Sequence, residues 1–344
     1  MSKSMLGSAE RSSSSRQRFP LSAVGWLVLA IAGMAFPLVL MSPVALHLAT
    51  LVLAYSITIV GINLLTGFSG QSSFAHSLFV ATGAYTTAIL VETFSWPFLA
   101  TIPVVVAVTF LLGLLLGTPA ARLRGLYLSI VTFAIGLLVP PIILRLEPWT
   151  GGANGFAITR QVISWAGLNS IQWKYYIALG LTALAFYLVR NIQRGGLGRA
   201  LLTLHSNQLI ATTLGIDFAK LRILVFAWCG MFAGVSGSII ALMDEFIAPQ
   251  SFTFMLSILL YIGAVIGGIE STIGALIGAM VLVILQYFTD QAALGWVGVF
   301  YGAVVIALTL IAPNGFTGLI KTVYASFSRL FYREASCEGT SDSD

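Results

Sequence analysis

Charged residues are scarce in this 344-residue chain: Asp, Glu, Lys and Arg make up 8% of it, against 58% for hydrophobic residues. A soluble domain is about 25% charged, so this chain cannot cover itself with a water-exposed surface. Disordered chains are also excluded, because they combine low hydrophobicity with high charge. The mean hydropathy of +0.96 predicts an all-α, polytopic integral membrane protein. At about 20 apolar residues per span, it has room for about 8–10 transmembrane helices.

Cysteine and histidine are rare as well, with two and three residues respectively. Cys229 and Cys337 lie far apart and predict no disulfide framework. His47, His76 and His205 do not have the HExxH spacing of a zinc protease, and the Walker A motif of an ATP-binding loop does not occur in the sequence. We therefore expect no catalytic residue, metal or cofactor on this chain. If ATP drives its activity, another subunit binds the nucleotide.

The net charge of +5 reflects membrane orientation and not nucleic-acid binding, because the basic residues lie in short segments between apolar runs. With the N-terminus inside, only Arg145, Arg160 and Lys174 of the 17 basic residues fall in outer segments. The positive-inside rule then predicts that both termini are cytoplasmic. No good candidate for a buried carboxylate relay occurs within the predicted spans, which disfavours a proton- or sodium-coupled carrier.

Hydropathy divides the chain into a membrane domain at 19–320 and two cytoplasmic tails. Residues 1–18 are Ser-rich and basic and predict a disordered N-terminal tail, and 321–344 form the C-terminal tail. The apolar run that begins at Leu21 is too long for a signal peptide, so we interpret it as an uncleaved first helix. The predicted spans are 21–41, 44–64, 73–91, 98–117, 126–144, 174–190, 223–243, 254–269, 272–289 and 296–312. The stretch 254–289 is either two crossings or a set of broken segments.

Two polar, Gly-rich breaks interrupt the apolar runs, one at 66–73 and the other within 263–278. Many glycines are spaced four apart, which is typical of close helix packing in lipid. The two breaks go beyond packing, because non-helical backbone at membrane depth persists only where protein encloses it or a wet cavity borders it. Breaks that recur in each half of a transporter indicate its pathway.

Several motifs occur in an order that resembles one family. They are NLLTGFSGQSSFAH at 63–76, GAY at 83–85, RGLYLSIVT at 124–132, TGGANG at 150–155, GRAL at 198–201, LGI at 214–216, and the glycines at 267–268 and 274. Together they resemble the LivM-type permease subunits of branched-chain amino acid ABC importers, over most of residues 44–320. The chain departs from that pattern at Ser206, Asn207 and Gln208, where the family has acidic residues, and at Glu270-Ser271, where it has Gly-Ser.

The resemblance implies a permease with the type II ABC-importer fold in a bacterial inner membrane. It implies four kinds of neighbour: a second homologous permease, two ATPase subunits that bind ATP and Mg, a periplasmic substrate-binding protein and the lipid bilayer. The substrate would be a branched-chain amino acid. The departures leave room for urea, short-chain amides or another small polar nutrient, and an ATP-independent channel or carrier is the alternative from another class.

The same resemblance implies an inner coupling loop at about 191–222. A helix at 197–213, a stop at Gly215 and a second short element at 217–221 form a compact peg for the ATPase. Its basic residues would dock on the ATPase or on lipid headgroups. The coupling residues are then Arg199, Gly215, Asp217 and Lys220.

Neutral polar residues around the first break are the predicted translocation pathway, because amides and hydroxyls bind a zwitterion without trapping it. They are Asn63, Gln71, Ser72, Ser73, His76, Tyr127 and Thr132. His76 has an alternative role in helix packing, and the last two have an alternative role facing a neighbouring helix. The outer loop residues Thr150, Gly151, Gly152, Asn154 and Gly155 form the outer gate, a contact for the binding protein, or a plain turn.

Overall fold

The computed structural model describes residues 33–34, 37, 42–123, 125–159, 169–206, 217–269, 271–291 and 302, without the side chains of 204–206 and 289–291. The predicted spans at 21–41 and 296–312 and the tails at 1–18 and 321–344 lie wholly or largely outside these residues. The division of the chain into tails and a membrane domain therefore remains a prediction.

The described residues fold almost entirely into helices, which confirms the all-α membrane class. The longer helices are α1 (Pro43–Ile62), α2 (His76–Glu92), α3 (Phe98–Arg122), α4 (Leu126–Arg145), α5 (Ser170–Arg194), α6 (Gly196–Ser206), α7 (Phe218–Asp244), α8 (Phe254–Gly267) and α9 (Thr272–Gln291). A single α-helical turn, Glu147–Thr150, and two 3₁₀ segments, Gly152–Asn154 and Pro249–Phe252, lie in the connections. A π segment, Asn63–Phe68, extends α1. Five of these stretches are long and apolar enough to cross a membrane: α1 with the π segment, α3, α4, α5 and α7.

The open question over 254–289 is answered by the length of α8. Its 14 residues span about 21 Å, which is less than the hydrocarbon core of about 30 Å, whereas α9 has 20 residues. The two helices pack as an antiparallel pair, with Gly263 against Gly278 and Gly267 against Gly274. A Cβ at any of these four glycines would overlap an atom of the facing helix. Helix α8 is therefore too short for a full crossing, and this region is not two full crossings.

Helix α7 forms the centre of the bundle and packs against α1, α2 and α3. Its small residues permit this close contact: a Cβ at Gly237 would overlap the carbonyl oxygen of Val80 on α2. Helices α1 and α7 run antiparallel, because Gly61 lies beside Cys229 while His47, near the other end of α1, lies 3.8 Å from Asp244.

A two-stranded antiparallel sheet connects the loop after α4 to the end of α7. Strands β1 (Phe156–Ala157) and β2 (Phe246–Ile247) pair with Phe156 opposite Ile247. The backbone N–H of Ile158 extends the contact and donates to the carbonyl of Glu245 at 2.7 Å. This sheet fixes the predicted outer loop on the bundle.

The predicted coupling loop agrees with the structure in one part and differs in another. Helix α6, at 196–206, confirms the first part of the helix expected at 197–213. Residues 207–216, which include Gly215, lie outside the described part of the chain. The prediction of a second short element at 217–221 is wrong. Asp217 is instead the N-cap of α7, and Phe218–Leu221 form the first turn of that 27-residue helix. The Asp217 carboxylate accepts from two backbone N–H groups, which explains why the long helix begins there.

Candidate functional site

The first break, predicted at 66–73, lies at 69–75 in the structure, because residues 66–68 belong to the π segment. The Ser69 hydroxyl donates to the Leu65 carbonyl at 2.5 Å, and the Thr66 hydroxyl donates to the Gln71 carbonyl at 3.1 Å. Gly70 adopts φ 68°, a left-handed conformation that glycine tolerates. These local contacts hold the chain where the π segment ends. Segments of π-helix occur often at functional sites.

Side chains in the first break alternate between the interior and the surface, as in an extended strand. Gln71 and Ser73 are buried, whereas Ser72 and Phe74 are half-buried. Ser73 also accepts from the backbone N–H of Ala75 at 3.4 Å. The segment therefore presents Gln71 and Ser73 to the core, and Ser72 and Phe74 to the neighbouring helices.

Helix α4 holds the first break through two residues three positions apart. The Ser129 hydroxyl donates to the Ser72 carbonyl at 3.2 Å, and the Thr132 hydroxyl accepts from the Phe74 backbone N–H at 3.0 Å. Since residues i and i+3 share a helix face, one face of α4 satisfies two backbone groups of a segment that has no secondary structure of its own.

Helix α8 contacts both the first break and the first turn of α2. The Ser257 hydroxyl accepts from the Ser77 backbone N–H at 2.8 Å, and the Tyr261 hydroxyl lies 3.1 Å from Ser72 Oγ. The Tyr261 ring packs on Phe74, with ring centroids 5.0 Å apart. Ser257 and Tyr261 were missed in the sequence; the signal was two polar residues at i and i+4 in an otherwise apolar run.

The second break, at 268–271 with 270 outside the described residues, lies directly against the π segment. The Asn63 side chain donates to the Ser271 carbonyl at 3.0 Å. A Cβ at Gly67 would overlap the carbonyl oxygen of Ile269. The two breaks identified in the sequence are therefore neighbours in space.

Three buried side chains at this junction keep polar atoms without a hydrogen-bond partner among the described residues. Both amide atoms of Gln71 have none, nor do Oδ1 of Asn63 and Nε2 of His76. The other ring nitrogen of His76 lies 3.7 Å from Cys229 Sγ. Buried polar groups are nearly always hydrogen-bonded, so these four atoms are exceptions among the described residues.

Five of the seven predicted pathway residues lie in, directly follow or contact the first break: Gln71, Ser72, Ser73, His76 and Thr132. Asn63 contacts the second break instead. Tyr127 does not join them. Its side chain is 73% exposed, on the opposite side of α4 from the buried Thr132, because the five-residue offset rotates the two by about 140°. Tyr127 faces away from this subunit's core.

The predicted outer-loop residues form a compact cap over the end of α4. The Thr150 hydroxyl donates to the Ile143 carbonyl at 2.7 Å and accepts from the Gly152 backbone N–H at 3.3 Å. Gly151 and Gly155 have φ 74° and 72°, conformations that disfavour other residues. Asn154 is exposed and is available to a partner.

Charged side chains gather at the end of the bundle where α7 terminates. The buried Lys174 forms an ion pair with the half-exposed Glu245, next to the His47 and Asp244 pair. Among the described residues no Asp or Glu is buried, and no group of three or more His, Cys, Asp or Glu side chains is placed to hold a metal ion.

At the opposite end of the bundle, Arg199 and Lys220 are exposed. Asp217 Oδ1 accepts from the backbone N–H groups of Ala219 and Lys220 at 3.1 and 3.3 Å, and Lys220 Nζ lies 3.2 Å from Oδ2. These contacts, chiefly the Lys220 backbone N–H and then its side chain, hold the pKa of Asp217 below its ordinary value.

A polytopic helical bundle in which two broken segments meet around neutral polar side chains has the architecture of a membrane transport protein. The family model of the branched-chain amino acid transport system permease component matches residues 44–309. The chain belongs to this family, and it is a multi-pass membrane permease and not an enzyme.

Curated relatives agree with this assignment. The chain is 28% identical to the high-affinity branched-chain amino acid transport system permease protein LivM of Escherichia coli, over 86% of this chain and 74% of that protein. It is 27% identical to LivM of Salmonella typhimurium, over 84% and 73%. It is also 27% identical to a probable branched-chain amino acid transport permease protein LivH of Methanocaldococcus jannaschii, over 72% and 83%. No solved structure matches the chain significantly.

Proposed function

We propose that this permease imports branched-chain amino acids across a bacterial inner membrane in a complex driven by ATP. The complex contains a second homologous permease, two ATPase subunits that bind ATP and Mg, and a periplasmic substrate-binding protein. Both termini of this chain face the cytoplasm. The relatives named LivM support the substrate class.

The observation that carries this proposal is the buried amide of Gln71, which has no hydrogen-bond partner among the described residues. An amide removed from water without a hydrogen bond destabilises a protein by about 1–3 kcal/mol, so its presence beside two helix breaks fits a group that binds a passing substrate. An amide donates and accepts and carries no charge. It can therefore contact both ends of a zwitterion and release it, while tight binding is left to the binding protein.

The pathway reaches the subunit surface between α4 and α8. Ser72, Ser129 and Tyr261 are half-buried there, next to the exposed apolar residues Ile130 and Met255. Each of these hydroxyls has a partner within the subunit, but its remaining hydrogen-bonding capacity would find no partner in lipid. We infer that the second permease covers this face and that the substrate passes between the two subunits.

Helix α6 offers a route by which an ATPase could drive the pathway. It packs against α5 and against the π segment that leads into the first break. A push on α6, on its exposed Arg199 and on the loop that contains Gly215 would therefore reach Gln71 through a short series of packed elements. In the alternative role, the basic residues bind lipid headgroups, and the contact between α6 and the π segment then has no part in transport.

Uptake into proteoliposomes tests the proposal. The vesicles contain this chain, the neighbouring permease and the ATPases, with the binding protein outside and labelled leucine as the first substrate. We expect uptake that requires both ATP inside and the binding protein outside. Uptake without ATP or partners would contradict the proposal and indicate a channel or carrier.

Urea or a short-chain amide is a second candidate substrate, favoured by the neutral amides of Gln71 and Asn63. An amide pairs with another amide through one donated and one accepted hydrogen bond, so these side chains suit such molecules as well as zwitterions. The same vesicles with labelled urea decide between the two candidates.

A further inference from the structure

Tyr261 makes two contacts, one through its hydroxyl and one through its ring, and a substitution by phenylalanine removes only the first. Its hydroxyl lies 3.1 Å from Ser72 Oγ, and its ring packs at 53° on the ring of Phe74. Because Ser72 and Phe74 are the two half-buried side chains of the first break, Tyr261 covers the surface-facing side of that segment.

The position of Tyr261 on α8 gives its hydroxyl access to the surface between α4 and α8. The residue is half-buried, and α8 is short, with non-helical backbone on both sides at Thr253 and at Gly268, where φ is 103°. A tyrosine hydroxyl both donates and accepts, and its rigid ring positions the group with little loss of conformational entropy.

We propose that Tyr261 is a specificity-determining residue of the transport pathway, whose hydroxyl exchanges its contact with Ser72 for a polar group of the substrate. This inference rests on the proposed function and extends it to a residue that was not among the pathway residues predicted from the sequence. The ligand chemistry is a small molecule with a hydrogen-bonding head, such as an amino acid or an amide. A site built to hydrogen-bond its substrate discriminates strongly against analogues that lack the group.

The Tyr261→Phe variant removes the hydroxyl and keeps the ring on Phe74. In the reconstituted complex we expect its Vmax/KM to fall about 2- to 10-fold, the usual effect of one lost hydrogen bond, mainly through a higher KM. The matched control is Tyr287→Phe in α9, where the ring packs on Phe288 at 5.9 Å, and it retains the wild-type KM. An unchanged KM in the Tyr261→Phe variant overturns the proposal.

The Ser72→Ala variant separates this role from a structural one. Both variants delete the same hydrogen bond, so a purely structural role predicts that Tyr261→Phe has no further effect on KM when Ser72 is already alanine. The proposal predicts that Tyr261→Phe still raises KM in the Ser72→Ala background, because the hydroxyl that contacts the substrate is lost. An unchanged KM between Ser72→Ala and the double variant contradicts it.

The wild-type complex distinguishes failure of this inference from failure of the proposed function. If it transports urea instead of leucine, the substrate assignment fails, and the same comparison with urea tests Tyr261. If it transports neither with ATP, both are overturned.

Discussion

The side-chain amide of Asn63 donates to the backbone carbonyl of Ser271 at 3.0 Å and joins two helix breaks that lie 208 residues apart in the sequence. Each break alone would leave backbone groups unsatisfied in a membrane. Together they satisfy part of each other's hydrogen-bonding requirement. Gln71 belongs to the first of the two breaks.

Asn63→Ala removes this connection. The Ser271 carbonyl then loses its buried donor, and we expect the free energy of unfolding in detergent to fall by about 1–3 kcal/mol, together with a loss of uptake. Thr118→Ala is the control, because that hydroxyl makes an exposed, local bond to Leu115; it leaves both quantities nearly unchanged. Wild-type stability in the Asn63→Ala variant would contradict the contact.

Gly237→Ala tests the packing of α7 on α2. The new methyl group would overlap the Val80 carbonyl, and overpacking destabilises a protein by about 1–3 kcal/mol or more. Gly180→Ala is the matched control, because nothing lies near a Cβ added there; the better helix propensity of alanine predicts a gain of about 0.8–1 kcal/mol. Thermal unfolding in detergent compares the two, and equal melting temperatures would argue against the close contact.

Acid should weaken the start of α7 through Asp217. Its pKa is lowered in the folded state, so its stabilising effect is complete above the unfolded-state pKa and is lost as the pH falls through the lowered folded-state pKa. Hydrogen exchange of the Ala219 and Lys220 amides measures this effect. We expect them to exchange more slowly in the wild type than in Asp217→Asn at neutral pH, and the difference to disappear in acid.

The Asp217→Ala variant provides the control for the cap itself. Asparagine keeps a side-chain acceptor and alanine does not, so Asp217→Ala should exchange faster than the wild type at neutral pH. A difference between the wild type and Asp217→Asn that persists unchanged into acid would argue against the charged cap.

Gly215 remains a prediction from the sequence, as the stop after a coupling helix that begins with α6. Replacement of Gly215 by a bulky residue such as leucine should abolish ATP-coupled uptake and leave membrane insertion intact, because a left-handed helix stop disfavours side chains. Gly180→Leu on α5 is the control, with open space around it. Normal uptake by the Gly215 variant would remove it from the coupling loop.

The sequence predicted most of the described helices, both breaks and most of the residues that lie in the breaks or contact them. Apolar runs fix helices directly, because every backbone group in lipid needs a partner within its own segment. The breaks were visible because serine, glycine and glutamine interrupt these runs at 66–73.

The tertiary partners could not be predicted in this way. Whether Tyr261 meets Ser72 depends on how α8 packs across the bundle, which no local pattern encodes. Tyr127 was misplaced for a different reason: it and Thr132 both lie in the span predicted at 126–144, and their five-residue offset already places them about 140° apart on that helix. Asp217 resembled part of a separate element because the 27-residue helix that it caps has basic residues in its first turns.

Replacement of Gln71 by leucine tests whether its buried amide, which has no hydrogen-bond partner among the described residues, is retained for transport at the expense of stability. Gln71→Leu should therefore raise the melting temperature of the protein in detergent while ATP-dependent uptake falls by at least tenfold. A variant that melts at or below the wild-type temperature and transports at the wild-type rate would contradict the account.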